Sequence, residues 1–220
     1  MKASVATAAA PDDAPSPCRT MQLRSGAMFD PLAPDPAMIL PSDIAHALAH
    51  LCRFGGHVSR FLSVAEHSVH VSLCAEGLLP RGTPDAERRQ AALLGLLHDA
   101  TEAYLGDTIW PLKHSPAWAW YREAEARLDS AIRARFGLSF VDPVVEDAVD
   151  WADAAVLLGE ARDLMGDPPW ARERVGRPGM EPYPPAASHG GSPLVGWAPP
   201  AARGAWIARW RELTGEGVGA

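Results

Sequence analysis

Hydrophobic and polar positions along this chain recur mainly at the three- and four-residue intervals of amphipathic α-helices. Ile44, Ala45, Leu48 and Leu51 follow Pro41-Ser42-Asp43, a ready N-cap, and the pattern runs to Cys52 before Gly55-Gly56 end it. Ser63-Val64-Ala65-Glu66 reads as a capping box, with Ser63 taking the Glu66 amide and Glu66 reaching back; Val64, Val71, Leu73, Leu78 and Leu79 give the helix it opens an apolar face. Thr83 as N-cap and Pro84 at the first helical position predict a third helix, through Ala91 and Leu97 towards Tyr104 and broken by Gly106. Asp107 to Lys113, with Pro111 inside, reads as a loop. Ser115-Pro116 opens a helix that carries Trp118, Trp120, Tyr121, Leu128, Ile132 and Phe136 and stops at Gly137. Asp142-Pro143 opens the next, through Val145, Val149, Leu157 and Leu158 to about Met165, before Gly166 and two prolines.

The ends of the chain read differently. Residues 1–20 are rich in Ala, Pro and Ser without a period, a disordered extension, and Met21 to Pro36 reads as a short hairpin followed by irregular chain. From Gly166 to Pro200 proline and glycine dominate, too irregular for a regular element and suited to a strap around the core. Ala201 to Leu213 is a last short helix with Trp206, Ile207 and Trp210 on one face, and residues 214–220 fray. The expectation is an all-α fold: a compact helical bundle over residues 21–165, with a short N-terminal hairpin and a Pro/Gly-rich strap and final helix over 166–213 packed on the same domain.

Composition narrows the functions. A chain of 220 residues, 47% apolar and 21% charged, is long enough to bury one continuous core. A net charge of −7 argues against a nucleic-acid polymer or an anionic membrane as partner, so a small anionic ligand needs local help from a metal ion and a few placed cations. Cys18, Cys52 and Cys74 form no C-x-x-C motif and cannot all be paired within one chain, which fits a reducing cytoplasm. The Val5 to Ala10 run is too short for the apolar core of a signal peptide, and no run reaches the length of a membrane span.

The stretch Leu96-Leu97-His98-Asp99-Ala100-Thr101-Glu102 carries the densest chemistry. Adjacent residues on a helix point about 100° apart, so His98 and Asp99 need ligand partners from elsewhere, while Glu102 overhangs the same face one turn later. A His and an Asp held by hydrogen bonds at the mouth of a buried helix would look the same. Two further polar residues change that balance: His67, in the first turn of the second helix, and Asp153, among apolar neighbours in the 142–165 helix. Buried separately, each costs free energy, whereas one divalent ion satisfies two imidazoles and two carboxylates together.

This order of His, His-Asp and a distant Asp resembles that of the HD-domain metal-dependent phosphohydrolases. The flanking Asp43-Ile44-Ala45-His46-Ala47-Leu48, Cys52-Arg53-Phe54, Ser63-Val64-Ala65-Glu66-His67-Ser68-Val69 and Leu97 to Asp107 are similar to the bacterial and phage branch of 5′-deoxynucleotidases and deoxynucleoside triphosphate hydrolases, dATP hydrolases among them. The resemblance spans about residues 22–213; one departure is Leu62, where this branch more often has an aromatic residue. It implies that His67, His98, Asp99 and Asp153 bind one divalent transition metal, and two nitrogen and two oxygen donors suit Mn, Co, Fe, Ni or Zn better than Mg.

It further implies Glu102 as general base or acid, Asp107 as positioner of water or a sugar hydroxyl, Arg53 as phosphate clamp and Phe54 as a wall against sugar or base. Lys113 reads either as a second phosphate contact or as a solvated charge, and Arg53 also fits a helix-end cation. His46, His50, His57 and His70 read as packing or supporting histidines, His57 being near enough to Arg53 in sequence to line a pocket; the Trp-rich faces read as core or oligomer contacts. The implied reaction converts a dNMP to nucleoside plus phosphate, or a dNTP to nucleoside plus triphosphate, in a homo-oligomeric enzyme. A non-catalytic nucleotide sensor of the same fold is the alternative. A di-iron oxygenase is disfavoured because His114 is the only His between residues 100 and 153.

Overall fold

The computed structural model describes residues 19–177, 179–183 and 196–218. The expected extension lies outside these residues as far as Cys18, as does the strap over 184–195. A two-stranded antiparallel hairpin, β1 (Met21–Gln22) and β2 (Met28–Phe29), is followed by α1 (Pro41–His50), α2 (Val64–Leu78), α3 (Asp85–Leu97), α4 (Glu102–Leu105), α5 (Trp110–Lys113), α6 (Ala119–Arg135), α7 (Pro143–Met165), α8 (Pro169–Val175) and α9 (Pro199–Thr214). Among the described residues the fold is all-α apart from that hairpin, as the periodicity predicts.

The bundle is built on α2. Its apolar residues Val64, Ala65, Val69, Val71 and Ala75 are buried, and so are its polar Glu66, His67, Ser68, His70 and Ser72. A helix buried on every side needs neighbours all round; α3 and α7 pack on it, and α9 covers both α1 and α2. Gly95 sets the spacing of the closest pair. A Cβ there would stand 3.1 Å from the Ser72 Cα, so glycine lets α3 lie directly on α2, and Ser72 Oγ donates to the Ala92 carbonyl at 2.7 Å across the same seam. On α7, Gly159 has Tyr183 O where its own Cβ would be, at 3.0 Å, which lets the chain after α8 lie against the helix.

Several boundaries differ from the sequence reading. α1 starts at Pro41 with Leu40 as N-cap; Asp43 lies inside the helix and accepts from Ser25 N and Oγ, both at 2.8 Å, tying the hairpin loop to α1. The Ser63 half of the capping box forms, with Ser63 Oγ accepting from Glu66 N at 3.1 Å, but Glu66 turns away to accept from Trp197 N at 2.6 Å. Pro84, not Thr83, is the N-cap of α3. That helix does not continue to Tyr104: Ala100 N donates to Leu97 O and Glu102 N to Asp99 O, three-residue bonds that tighten the backbone and separate α3 from α4.

Residues 110–113 form α5 because Pro111 falls in a first helical turn, where its missing N–H costs nothing. Ser115 caps a short 3-10 turn, Pro116–Trp118, and α6 begins only at Ala119. The segment after Gly166 holds a regular element after all, α8, closed by a left-handed Gly176. Trp206 and Trp210 are fully buried, stacked with ring centroids 5.8 Å apart, and belong to the core. No helix among the described residues is long and apolar enough to cross a membrane.

Candidate metal centre

Three elements bring the chemistry together: α2 supplies His67, the tightened turn after α3 supplies His98 and Asp99, and α7 supplies Asp153. The break in the helix resolves the divergence expected of adjacent residues, because His98 Nε2 and Asp99 Oδ2 meet at 3.2 Å. Across the cleft His67 Nε2 faces His98 Nε2 at 3.1 Å, Asp153 Oδ1 at 3.1 Å and Asp99 Oδ2 at 3.6 Å. Asp153 Oδ1 is 3.9 Å from His98 Nε2, and one ligand atom each of His67, His98 and Asp153 lies within 4.8 Å of the others.

The tautomers make this a cation site. His98 Nδ1 lies 2.8 Å from the Gly95 carbonyl, which only accepts, so Nδ1 carries the hydrogen. His67 Nδ1 likewise faces Glu160 Oε1 at 2.8 Å. With each Nδ1 so engaged, the two Nε2 atoms and the two carboxylates converge on one point, where His67, held at about 9, carries a proton towards Asp153 Oδ1 that a divalent ion would replace. A divalent ion about 2.1 Å from each donor would put neighbouring donors roughly 3.0–3.4 Å apart, close to the separations seen. The residues therefore fit the group.

The electrostatics favour positive charge at this point, carried by a proton when no metal is bound. Burial and the Arg53 guanidinium favour a neutral His67, yet Glu160 and Asp153 outweigh them and hold the ring at about 9. Burial also opposes ionised Asp153, but His67 and His98 draw it down to about 2, and Asp99 is held well below the usual carboxylate range against its own burial by His98, His67 and Arg53. The cluster keeps its carboxylates charged and gathers positive charge to match.

Behind the ligands lies a buried network that sequence reasoning missed. Glu160 is fully buried on α7, where its Oε1 accepts from His67 and its Oε2 from Arg53 Nε at 3.1 Å. Arg53 in turn reaches Asp99 Oδ2 at 3.3 Å. Glu160 stands seven residues after Asp153, two turns along the same face, and is a charge inside the apolar run Val156 to Ala161. That spacing was the available signal.

In front of the ligands opens a cavity of about 720 Å³ lined by Arg53, Phe54, Asp99, Glu102, Asp107, Lys113 and Asp153 among others. Every site residue predicted from sequence except the two histidines lines it, and those two contact its lining residues Asp153 and Asp99. Glu102 is buried, with Oε2 lacking a hydrogen-bond partner among the described residues; burial first, then Asp99 and Asp107, push its carboxyl well above the ordinary range. Asp107 is raised for the same first reason. Phe54 adopts a left-handed backbone (φ 56°, ψ 28°) that aims its ring beneath the Arg53 guanidinium, 5.4 Å from the centroid. Lys113 Nζ is paired with Glu125 Oε1 at 2.6 Å. Trp110, Trp170 and Arg174, unforeseen in sequence, complete the walls.

The other histidines stay outside: His57 is exposed and does not line the cavity, and His114 Nδ1 bonds the Trp110 carbonyl. His70 is buried beside Tyr183 and Trp197.

Residues 54–132 match the HD domain. The chain is 40% identical over 126 residues to the uncharacterized protein YfdR of Escherichia coli, which covers 57% of this chain and 61% of that protein. It is 38% identical over 148 residues to an uncharacterized protein of Rhodobacter capsulatus, covering 66% of this chain and 72% of the relative. The chain belongs to the HD-domain family, and its matched segment spans less than two thirds of YfdR.

Proposed function

We propose that this protein is a metal-dependent phosphohydrolase acting on a deoxynucleotide or nucleotide, releasing phosphate from a monophosphate or triphosphate from a dNTP. The observation that carries the reading is the pair of Nε2 atoms 3.1 Å apart beside two carboxylates, with the Glu102 carboxyl, its Oε2 unpartnered among the described residues, on the wall of the same cavity. A divalent ion held there supplies Lewis-acid polarisation of a phosphoryl oxygen and acidifies water, two services that phosphate hydrolysis needs.

The chain's own residues supply the rest. Glu102 takes the proton from the attacking water, since its oxygen has no competing partner and its raised pKa makes it a stronger base than an ordinary carboxylate. Asp107, on the same wall, orients that water or a sugar hydroxyl. Arg53 steadies Asp99 and offers its remaining N–H donors to phosphate oxygens, while Lys113 adds positive charge from the cavity lining. Phe54 gives sugar or base an aromatic face. The overall charge of −7 leaves recruitment of an anion to these local cations.

The deciding experiment follows phosphate and triphosphate separately from panels of dNMPs, NMPs and dNTPs with Mn²⁺ or Co²⁺, for wild type, Glu102→Ala and Asp99→Ala. Product from one panel, lost in both variants, is expected. Wild type inert on every panel with every metal, or variants as active as wild type, would sink the proposal.

A further inference from the structure

The cavity has three cationic side chains on its walls, and two of them are already engaged. Arg53 is committed to Glu160 and Asp99, and Lys113 to Glu125 at 2.6 Å. Arg174 has no carboxylate partner among the described residues; its guanidinium lies over the Trp110 ring, 5.5 Å from the centroid. We propose that α8 is the substrate-recognition element of this enzyme: Arg174 binds phosphate oxygens of the substrate, and Trp170 beside it stacks on the nucleobase or sugar.

The architecture suits that role. Gly166 (φ 78°) and Asp167 (φ 53°) both turn through the left-handed region, folding the chain sharply back after α7 so that α8 lies along the cavity instead of continuing away from it. Asp167 is a non-glycine residue held in that conformation, its N–H donating to the Ala161 carbonyl at 3.1 Å. α8 is anchored through Ala171 to its own small apolar cluster with Leu157, Leu158, Ala161 and Met180, separate from the main core. Trp170 and Arg174 are both exposed and both line the cavity, so a ligand there can reach them.

Charge points the same way. Partial withdrawal from water first, and the like charge of Arg53 second, lower the Arg174 pKa against the pull of Asp153, Asp107 and Asp99, so an anion in the cavity would favour its charged form. A phosphate in this cavity would accept charge-assisted hydrogen bonds from Arg174. On the aromatic side, Trp170 and Phe54 have ring centroids 6.2 Å apart at 60°, a corner that offers one flat face to a base and not a parallel slot. The ligand class is therefore an aromatic ring joined to phosphate.

This inference rests on the phosphohydrolase reading, and the test separates the two by using inorganic phosphate alone as a probe. Binding of inorganic phosphate and of a panel of dNMPs is measured by calorimetry on the Mn²⁺-loaded protein, for wild type, Arg174→Ala, Arg174→Lys and Trp170→Leu, with Mn²⁺ affinity and Tm as controls. Arg174→Ala should weaken phosphate and nucleotide about 10- to 100-fold with Mn²⁺ affinity unchanged, and Arg174→Lys should recover part of the loss. Trp170→Leu should weaken the nucleotides and leave phosphate alone. Phosphate binding that is absent in wild type, or equal in Arg174→Ala, overturns the role of Arg174; nucleotide binding unaffected by Trp170→Leu overturns that of Trp170. Phosphate bound through Arg174 with no nucleotide turned over overturns the nucleotidase reading and leaves the anion site standing.

Discussion

Glu160 accepts from Nδ1 of His67 at 2.8 Å, and that contact decides which imidazole nitrogen faces the cleft. The same carboxylate accepts from Arg53, so one buried group orients a ligand and positions a cavity cation together. Glu160→Gln keeps an acceptor but loses the charge, and its Mn²⁺ affinity should fall about 10- to 100-fold by titration. Glu160→Ala removes a fully buried partner of Arg53 and His67, and thermal denaturation should show a loss of about 3 kcal/mol or more. A Gln variant that binds metal like wild type would show that the contact only fills space.

Glu102 should control the pH profile. Its carboxyl titrates above the ordinary range because of burial, then Asp99 and Asp107. A base works only when ionised, so activity should rise as pH rises through that raised pKa. Glu102→Gln should remove this ascending limb and lower kcat by about 10²- to 10⁴-fold at saturating metal. Loss of a descending limb instead would assign Glu102 as the general acid.

Metal should stabilise the fold. Without it, only a proton on His67 Nε2 holds the two carboxylates and the His98 Nε2 together between α2, α7 and the turn after α3. Chelation should lower Tm, and Mn²⁺ at about 100-fold above its Kd should restore roughly 2.7 kcal/mol. Asp153→Ala should lose most of that metal-dependent gain; an unchanged gain would place the metal elsewhere.

Gly95→Ala tests how helix spacing sets the site. The added Cβ meets backbone of Ser72 at 3.1–3.2 Å, and backbone cannot rotate aside as a side chain can. Helix propensity favours alanine by about 1 kcal/mol, and overpacking against α2 costs more, so a net loss of about 1–2 kcal/mol is expected in chemical denaturation. Since Gly95 O fixes the His98 ring, metal affinity should fall in parallel. Greater stability with full metal affinity would show that the seam has room.

By itself the sequence determined most of the long helices and the candidate ligand residues. Apolar spacing, the Ser63 and Asp142 caps and the Gly166 stop are encoded within a few residues, so α2 and α7 were legible almost to their ends. His67, His98, Asp99 and Asp153 were legible because charge in an apolar run is costly and the four occur in a family order. Tertiary structure alone decided who pairs with whom. Glu160 meets His67 across 93 residues, and Glu66 leaves its own capping box for Trp197 across 131. A buried carboxylate takes the strongest donor that packing presents, and packing is a property of the whole chain. α8 was hidden for a related reason: its seven residues lie among prolines and glycines that suggest no helix, and it is held by contacts with α7 and Met180 that local pattern does not reveal.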